Sequence, residues 1–576
     1  MLRPQLIQLV RCDKVHLIVG EIRQKFFDGV ISRKYTALPW FTPMASGEPE
    51  SARIRRSERK FSTGSPSRSS NNQIAQDNSD PDFGFVSDHL TRRPSTTEDE
   101  QRVKDLLKEI LALKEKNVSS WIVESKVKNL CAAYKYLLKP HRDGFLKVLA
   151  CEHAVDHQMV CKAARSLIAL EQHQLKEEEC DKRQIIKGEE RLKSLLTPQY
   201  SWLFSHVGRL EKGVKFLVDL RTDVLAVISE MDMKDNAIIP MQQLNITLRE
   251  MLSLWFSVGF LNLERVTWRS PCEMLQKISE YEAVHPVRNW TDLKRRVGPY
   301  RRCFVYTHSS MPDEPLVVLH TALSDEIARS MKGIVSATTR MSVDTSAPCV
   351  LVDTQTEDPA YVKAAIFYSI TSTQKGLQGI ELGNYLIKRV VKELQAEFPN
   401  VNKFSSLSPI PTFRLWFIEK LKAAEKGQSD LLTADEIDQL RSHLQTDILW
   451  TELKQLVKTN GWVSDSKLIP LLEKPLMRLC ARYLYLEKRR GYALDNVANF
   501  HLRNGAMMWR LNWLADLSVR GLGNSCGIMV NYRYFLEDTE TNSQSYLDKQ
   551  HIIASEEVRQ LAMNARELME KVTSKM

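Results

Sequence analysis

The chain has 576 residues and a net charge of +10, with 43% hydrophobic and 26% charged residues, the make-up of a globular protein of two or three domains. No run approaches ~18 uninterrupted apolar residues, which argues against a spanning helix, and no zinc-finger, RNP or basic-helix pattern speaks for nucleic acid. The ten cysteines, from Cys12 to Cys526, form no C-x-x-C pair and are scattered, against both a zinc site and a secreted disulfide framework. The basic excess suits small phosphates or carboxylates.

Residues 1–47 carry seven Lys or Arg against three acids, with Leu2, Leu6, Leu9 and Val10 near helical spacing. This fits a mitochondrial presequence, although Asp13, Glu21 and Asp28 do not; an unstructured extension is the alternative. Residues 48–100, rich in Ser, Pro, Asn and Asp, read as a disordered linker. From 101 to 258 the pattern is helical. Val103, Leu106, Leu107, Ile110 and Leu111 recur at three and four, as do Leu217, Leu220, Val224, Leu225 and Ile228, which predicts a helical bundle.

After Gly259 the texture changes. Residues 302–307 and 315–320 predict adjacent strands across the turn at 309–314, and Ala364–Ile370 predicts a third. A loop with Gly376, Gly379 and Gly383 follows, opening an amphipathic helix through Leu386, Val390, Leu394 and Phe398. Strand, glycine loop and helix start is a geometry that turns backbone N–H groups on an anion. Its spacing is neither a dinucleotide nor a Walker fingerprint, so a tight turn remains open as the other explanation. Val401–Ser408 predicts a further strand, stopped by Pro409 and Pro411, and helices dominate 413–490. Mixed α/β after an all-α segment implies two domains.

Two segments hold candidate chemistry. Ser405-Ser406-Leu407-Ser408 places hydroxyls at a strand end beside the glycine loop, where serines before prolines also simply make turns. His501, in Asn499-Phe500-His501-Leu502, offers a proton carrier near neutral pH, or a structural histidine. No Gly-x-Ser-x-Gly elbow and no metal-spaced cluster stands out.

Taken together, several stretches resemble the malonyl-CoA decarboxylases: 260–268 (FLNLERVTW), 297–303 (VGPYRRC), 376–383 (GLQGIELG), 405–411 (SSLSPIP), 497–502 (VANFHL) and 530–536 (VNYRYFL). The resemblance is nearly continuous over 255–560, looser over 101–255, and does not cover 1–95. It implies an α+β multidomain protein, with a helical oligomerisation domain (101–258) followed by a GCN5-related acetyltransferase-like catalytic domain (259–572). It implies decarboxylation of malonyl-CoA to acetyl-CoA with no biotin, thiamine or metal cofactor, on Ser408 and His501. Gln378, Gly379, Ile380, Glu381, Leu382, Gly383 and Asn384 would hold CoA, with Ser369, Glu381 and Tyr534 as further active-site positions. The family also implies a homotetramer and a location in mitochondrial matrix, peroxisome and cytoplasm. Cys272 matches a cysteine of interchain disulfides, whereas Ser309 stands where some relatives carry another. Ser574-Lys575-Met576 resembles a peroxisomal address read by an import receptor. An N-acetyltransferase on the same fold and a non-catalytic acyl-CoA sensor are the rival functions.

Overall fold

The computed structural model describes residues 96–573 apart from 115, 117, 175–181, 257–260, 342–356, 381, 383–385 and 428–429. The expected presequence, most of the expected linker and the terminal tripeptide lie outside the described residues. A helix, Thr97–Leu111, begins within the last residues expected as linker. Thr96 and Asp99 form a reciprocal capping box there, and Glu98, Asp99 and Glu100 put negative charge on the first turn. Both features favour a helix start over a solvated tail.

Helices then follow one another to Ile238–Trp255. The predicted stripe is real: Val103, Leu107 and Ile110 are buried, as are Leu217, Leu220 and Val224 of the helix Gly213–Glu230. One continuous apolar core joins these helices to Phe304, Leu319 and Phe367 of the sheet beyond.

That sheet has seven strands in the order β1-β2-β3-β4-β5-β9-β8. They are β1 (Leu261–Val266), β2 (Arg301–His308), β3 (Val317–Ser324), β4 (Ala364–Ser372), β5 (Lys403–Ser406), β8 (Met507–Asn512) and β9 (Met529–Tyr534), with β6 (Lys488–Arg489) and β7 (Tyr492–Ala493) forming a separate hairpin. Only β4 and β5 run parallel; their crossover carries the amphipathic helix Leu386–Glu397 on the core side. β2 and β3 are buried at every position, which is why their apolar residues, Cys303–Tyr306 and Val317–Leu319, run on without alternation.

Two irregularities shape the site. Between His320 and Thr321 the β3–β4 register shifts, leaving Tyr368 unpaired as a bulge, so that Phe367 and Ser369 fall on opposite faces. The β4–β5 pairing ends at Phe367↔Ser406. Two residues on, Ser408 exchanges backbone hydrogen bonds of 2.9 and 3.0 Å with Val530 of β9 instead. The regular part of the strand predicted to Ser408 therefore stops at Ser406, and β4 runs on to Ser372 with no β5 beside it.

The glycine loop rests on the helical region. Arg221, buried on Gly213–Glu230, donates to the carbonyls of Gly376 (2.5 Å) and Gln378 (2.8 Å) and to Asn245 Oδ1 (3.0 Å). Gly376 is required by this packing, because a Cβ there would lie 1.8 Å from the Val218 carbonyl oxygen. Gly379 is required for another reason, a φ of +76°. Arg221→Ala would strip the buried Gly376 carbonyl and the part-buried Gln378 carbonyl of their donor and is expected to cost roughly 1–3 kcal/mol, measured by urea unfolding. Arg221→Lys should recover little, since one ammonium does not reproduce the guanidinium fork.

Candidate active site

Ser408 sits just past the end of β5, held by its backbone bridge to Val530. His501 comes from a helix, Asn496–Arg503, that starts after the buried Asp495; its carboxylate accepts the Ala498 N–H at 2.8 Å. Burial raises the Asp495 carboxyl to about 6. The cap fixes where the helix begins, and so which way its last turn presents His501.

The two residues meet: Ser408 Oγ lies 2.9 Å from His501 Nε2. On the other side of the ring, His501 Nδ1 lies 2.7 Å from the Tyr534 hydroxyl. The imidazole stacks on Tyr532, with ring centroids 4.5 Å apart and planes at 17°. Ser408 Oγ donates to Ser406 Oγ at 2.8 Å, and Ser406 Oγ also accepts the Tyr532 N–H at 3.3 Å. All five side chains are buried. With no carboxylate against it, burial alone holds the His501 imidazole down at about 3, and burial drives the Tyr534 phenol well above its ordinary value. At neutral pH the run is uncharged, with one imidazole N–H and three hydroxyl protons to share.

Ser369 stands elsewhere. The bulge turns it to the other face, where its hydroxyl donates to Glu282 at 2.9 and 2.8 Å. Glu282 also accepts the N–H groups of Val284 and His285, both at 2.8 Å. No described hydrogen bond joins Ser369 to Ser408 or His501.

Of the predicted CoA loop, Gln378, Gly379, Ile380 and Leu382 are described; Glu381, Gly383 and Asn384 lie outside the described residues. The N–H groups of Gln378, Ile380 and Leu382 already donate to carbonyls of Lys375, Leu377 and Ile380. Gly379 is the one described loop residue of the four whose N–H has no such bond. Cys272 is exposed at the start of the helix Cys272–Tyr281, and Ser309 is exposed in the β2–β3 turn. Among the described residues no helix is long and apolar enough to cross a membrane.

Sequence reading passed over three residues that build the site. Asp495 had a legible signal, an Asp just before an apolar-periodic segment. Ser406 was in view only as one of several serines. Arg221 had none.

A mixed-sheet enzyme with a buried serine–histidine–tyrosine run is the class this geometry defines. The malonyl-CoA decarboxylase C-terminal domain family matches residues 259–573, and the N-terminal domain family matches 154–256. The chain is 49% identical to the mitochondrial malonyl-CoA decarboxylase of Mus musculus over 419 residues, 72% of this chain and 81% of the relative. Identity to that of Anser anser anser is 48%, over 72% of this chain and 79% of the relative. Among solved structures, the Rhodopseudomonas palustris malonyl-CoA decarboxylase superposes with a TM-score of 0.64 at 29% identity, covering 80% of this chain and 99% of that one. The Agrobacterium vitis enzyme gives 0.62 at 27%, with the same coverage. The chain belongs to the malonyl-CoA decarboxylase family.

The buried histidines carry a pH signature. Desolvation holds His320 down at about 4 and His501 at about 3. Between pH ~6.5 and those values the unfolded chain takes up protons that the folded chain refuses, so stability falls as pH falls, by roughly 1.4 kcal/mol per unit for each group. His320→Asn should flatten the profile by that slope between about pH 6.5 and 4, read from urea unfolding at pH 7 and pH 5. An unchanged slope would mean that His320 accepts a proton inside the fold.

Proposed function

We propose that this protein removes CO2 from malonyl-CoA to give acetyl-CoA, and so sets the malonyl-CoA level that governs fatty-acid synthesis and oxidation. Family membership carries the reaction, and neither an acetyltransferase nor a non-catalytic sensor is favoured by it. The observation that carries the residue assignment is the buried run Tyr534–His501–Ser408.

The catalytic half has the plan of a GCN5-related acetyltransferase. Support comes from the single parallel pair, β4 and β5, which part after Ser406. An extended pantetheine with its amides suits the edge of β4 that β5 leaves unpaired. The pyrophosphate is assigned to the loop 378–384 and the start of the helix Leu386–Glu397, where backbone N–H groups favour an anion.

The substrate activates its own bond, because the thioester carbonyl lies β to the carboxylate. Breaking the Cα–carboxylate bond releases CO2 and leaves its electron pair as a thioester enolate. Hydrogen bonds to that oxyanion are worth roughly 3–4 kcal/mol each. His501 Nε2 then gives its proton to Cα while the Tyr534 hydroxyl proton passes to Nδ1. The imidazole ends neutral with its proton on Nδ1; a proton taken up from solvent at Nε2 then sends the Nδ1 proton back to the phenolate and restores the starting state. Ser408 holds the Nε2 N–H in line and orients the malonyl group. A dry site helps here, since a solvated ring would be free to turn away from the carbon.

The tetramer and the compartments follow the same reading. With Ser309 in place of a cysteine, we assign assembly to non-covalent contacts even though Cys272 is exposed. The chain is assigned to the mitochondrial matrix, with peroxisome and cytoplasm as further locations. Met576→Asp should block peroxisomal import of a fluorescent fusion; unchanged import would remove that address.

His501→Asn is expected to lower kcat by at least ~10²-fold while CoA binding, followed by calorimetry, stays within a few-fold of wild type. Near-normal kcat in that variant would end the assignment. Tyr534→Phe should slow turnover less, since it removes the proton supply but leaves the Nε2 donor.

A further inference from the structure

The run of hydroxyls does not stop at Ser408, and its far end decides which way the protons point. Ser408 Oγ has two partners, His501 Nε2 at 2.9 Å and Ser406 Oγ at 2.8 Å, and it is the donor to Ser406. A serine hydroxyl has one proton. Once that proton is given to Ser406, the contact with His501 holds only if the ring nitrogen is the donor. A neutral imidazole has one N–H, so Nδ1 is then bare and accepts from the Tyr534 hydroxyl 2.7 Å away. Every proton points the same way: Tyr534 to His501, His501 to Ser408, Ser408 to Ser406.

Ser406 is placed for this by its strand. It is fully buried, and its side chain shares a face with Ser408, two residues on. Its backbone is tied on both sides, by pairing with Phe367 of β4 and by its carbonyl accepting the Asn531 side-chain N–H at 2.8 Å. The Tyr532 N–H occupies another position on Ser406 Oγ.

We propose that Ser406 is a positioning residue for the decarboxylation: by accepting the Ser408 proton, it obliges His501 to carry its own proton on Nε2. This rests on Ser408 and His501 as the working pair. Without an acceptor at 406, the Ser408 proton turns to Nε2, the imidazole proton moves to Nδ1, and the donor aimed at Cα is lost. The logic is that of any group that fixes a catalytic imidazole in one tautomer through a hydrogen bond.

The test is read on the full chain with 15N-labelled histidine, the His501 signals being assigned by their loss in His501→Asn. The resting wild type is expected to show His501 protonated on Nε2; protonation on Nδ1 would overturn the proposal without recourse to any variant. In Ser406→Ala the signal should move to the Nδ1-protonated pattern, with kcat down about 10²-fold and KM for malonyl-CoA within twofold. Ser406→Thr keeps the hydroxyl and should restore both tautomer and kcat. A Ser406→Ala enzyme that keeps the Nε2 proton, or its full kcat, contradicts the proposal. Activity surviving in His501→Asn would instead sink the assignment of the pair, leaving the wild-type tautomer to judge Ser406.

Discussion

Removing the His501 imidazole from water is the constraint to which the rest of the site answers. A ring with one face on Tyr532 and both nitrogens within hydrogen-bond reach of hydroxyls has no solvent to choose its protonation for it. Burial keeps it neutral, and the hydroxyls on either side must then decide where its one proton sits. A carboxylate at Nδ1, as in hydrolytic triads, would favour imidazolium and a nucleophilic serine. A phenol there does not. Under the proposed reaction this uncharged relay would hand over a proton, which suits a reaction whose difficult intermediate is a carbanion and which makes no acyl-enzyme.

Reaching that burial depends on the sheet breaking its own regularity. β5 runs between β4 and β9 and loses β4 after Ser406, so Ser408 is pinned by Val530 of β9 alone. The parting leaves the end of β4 without β5 beside it, and Ser408 meets His501 of the helix Asn496–Arg503. On the opposite face, the bulge at Tyr368 commits Ser369 to Glu282. Ser369 thus belongs to the packing behind β4 in this structure, and any part it takes in binding requires that hydrogen bond to be exchanged.

The helical region holds the glycine loop through Arg221 and the close packing of Gly376 on Val218. Arg221 reaches across 155 residues of sequence to hold the Gly376 carbonyl, and 157 to hold that of Gln378. The glycine loop is thus fixed from behind by a guanidinium, with two carbonyls turned towards Arg221 and away from any ligand on the loop's other side. This gives the helices a mechanical reason to stay joined to the catalytic half, beyond any role in assembly.

What was legible in the sequence follows from how local its cause is. β2, β3, β4 and the helix after the loop are carried by unbroken or periodic apolar runs, and they fall where those runs lie. β1 was not read as a strand, because Glu264 and Arg265 in its middle are exposed at the sheet edge. β8 and β9 were not read as strands, and β9 takes its place from a remote partner, since it slots between β5 and β8. Ser408 and His501 were nameable from a family motif, yet their contact spans 93 residues, and Ser406 gains its meaning only from that contact. The face on which Ser369 lies turned on one unpaired residue, Tyr368, which no periodicity marks.

A decarboxylation needs no second substrate, which sets it apart from acyl transfer. Purified full-length protein incubated with malonyl-CoA alone in D2O is the direct measurement. CO2 and acetyl-CoA should appear in equal amounts, the acetyl group carrying one deuterium from the solvent. Consumption of malonyl-CoA only when an amine is added, with release of free CoA, would contradict it.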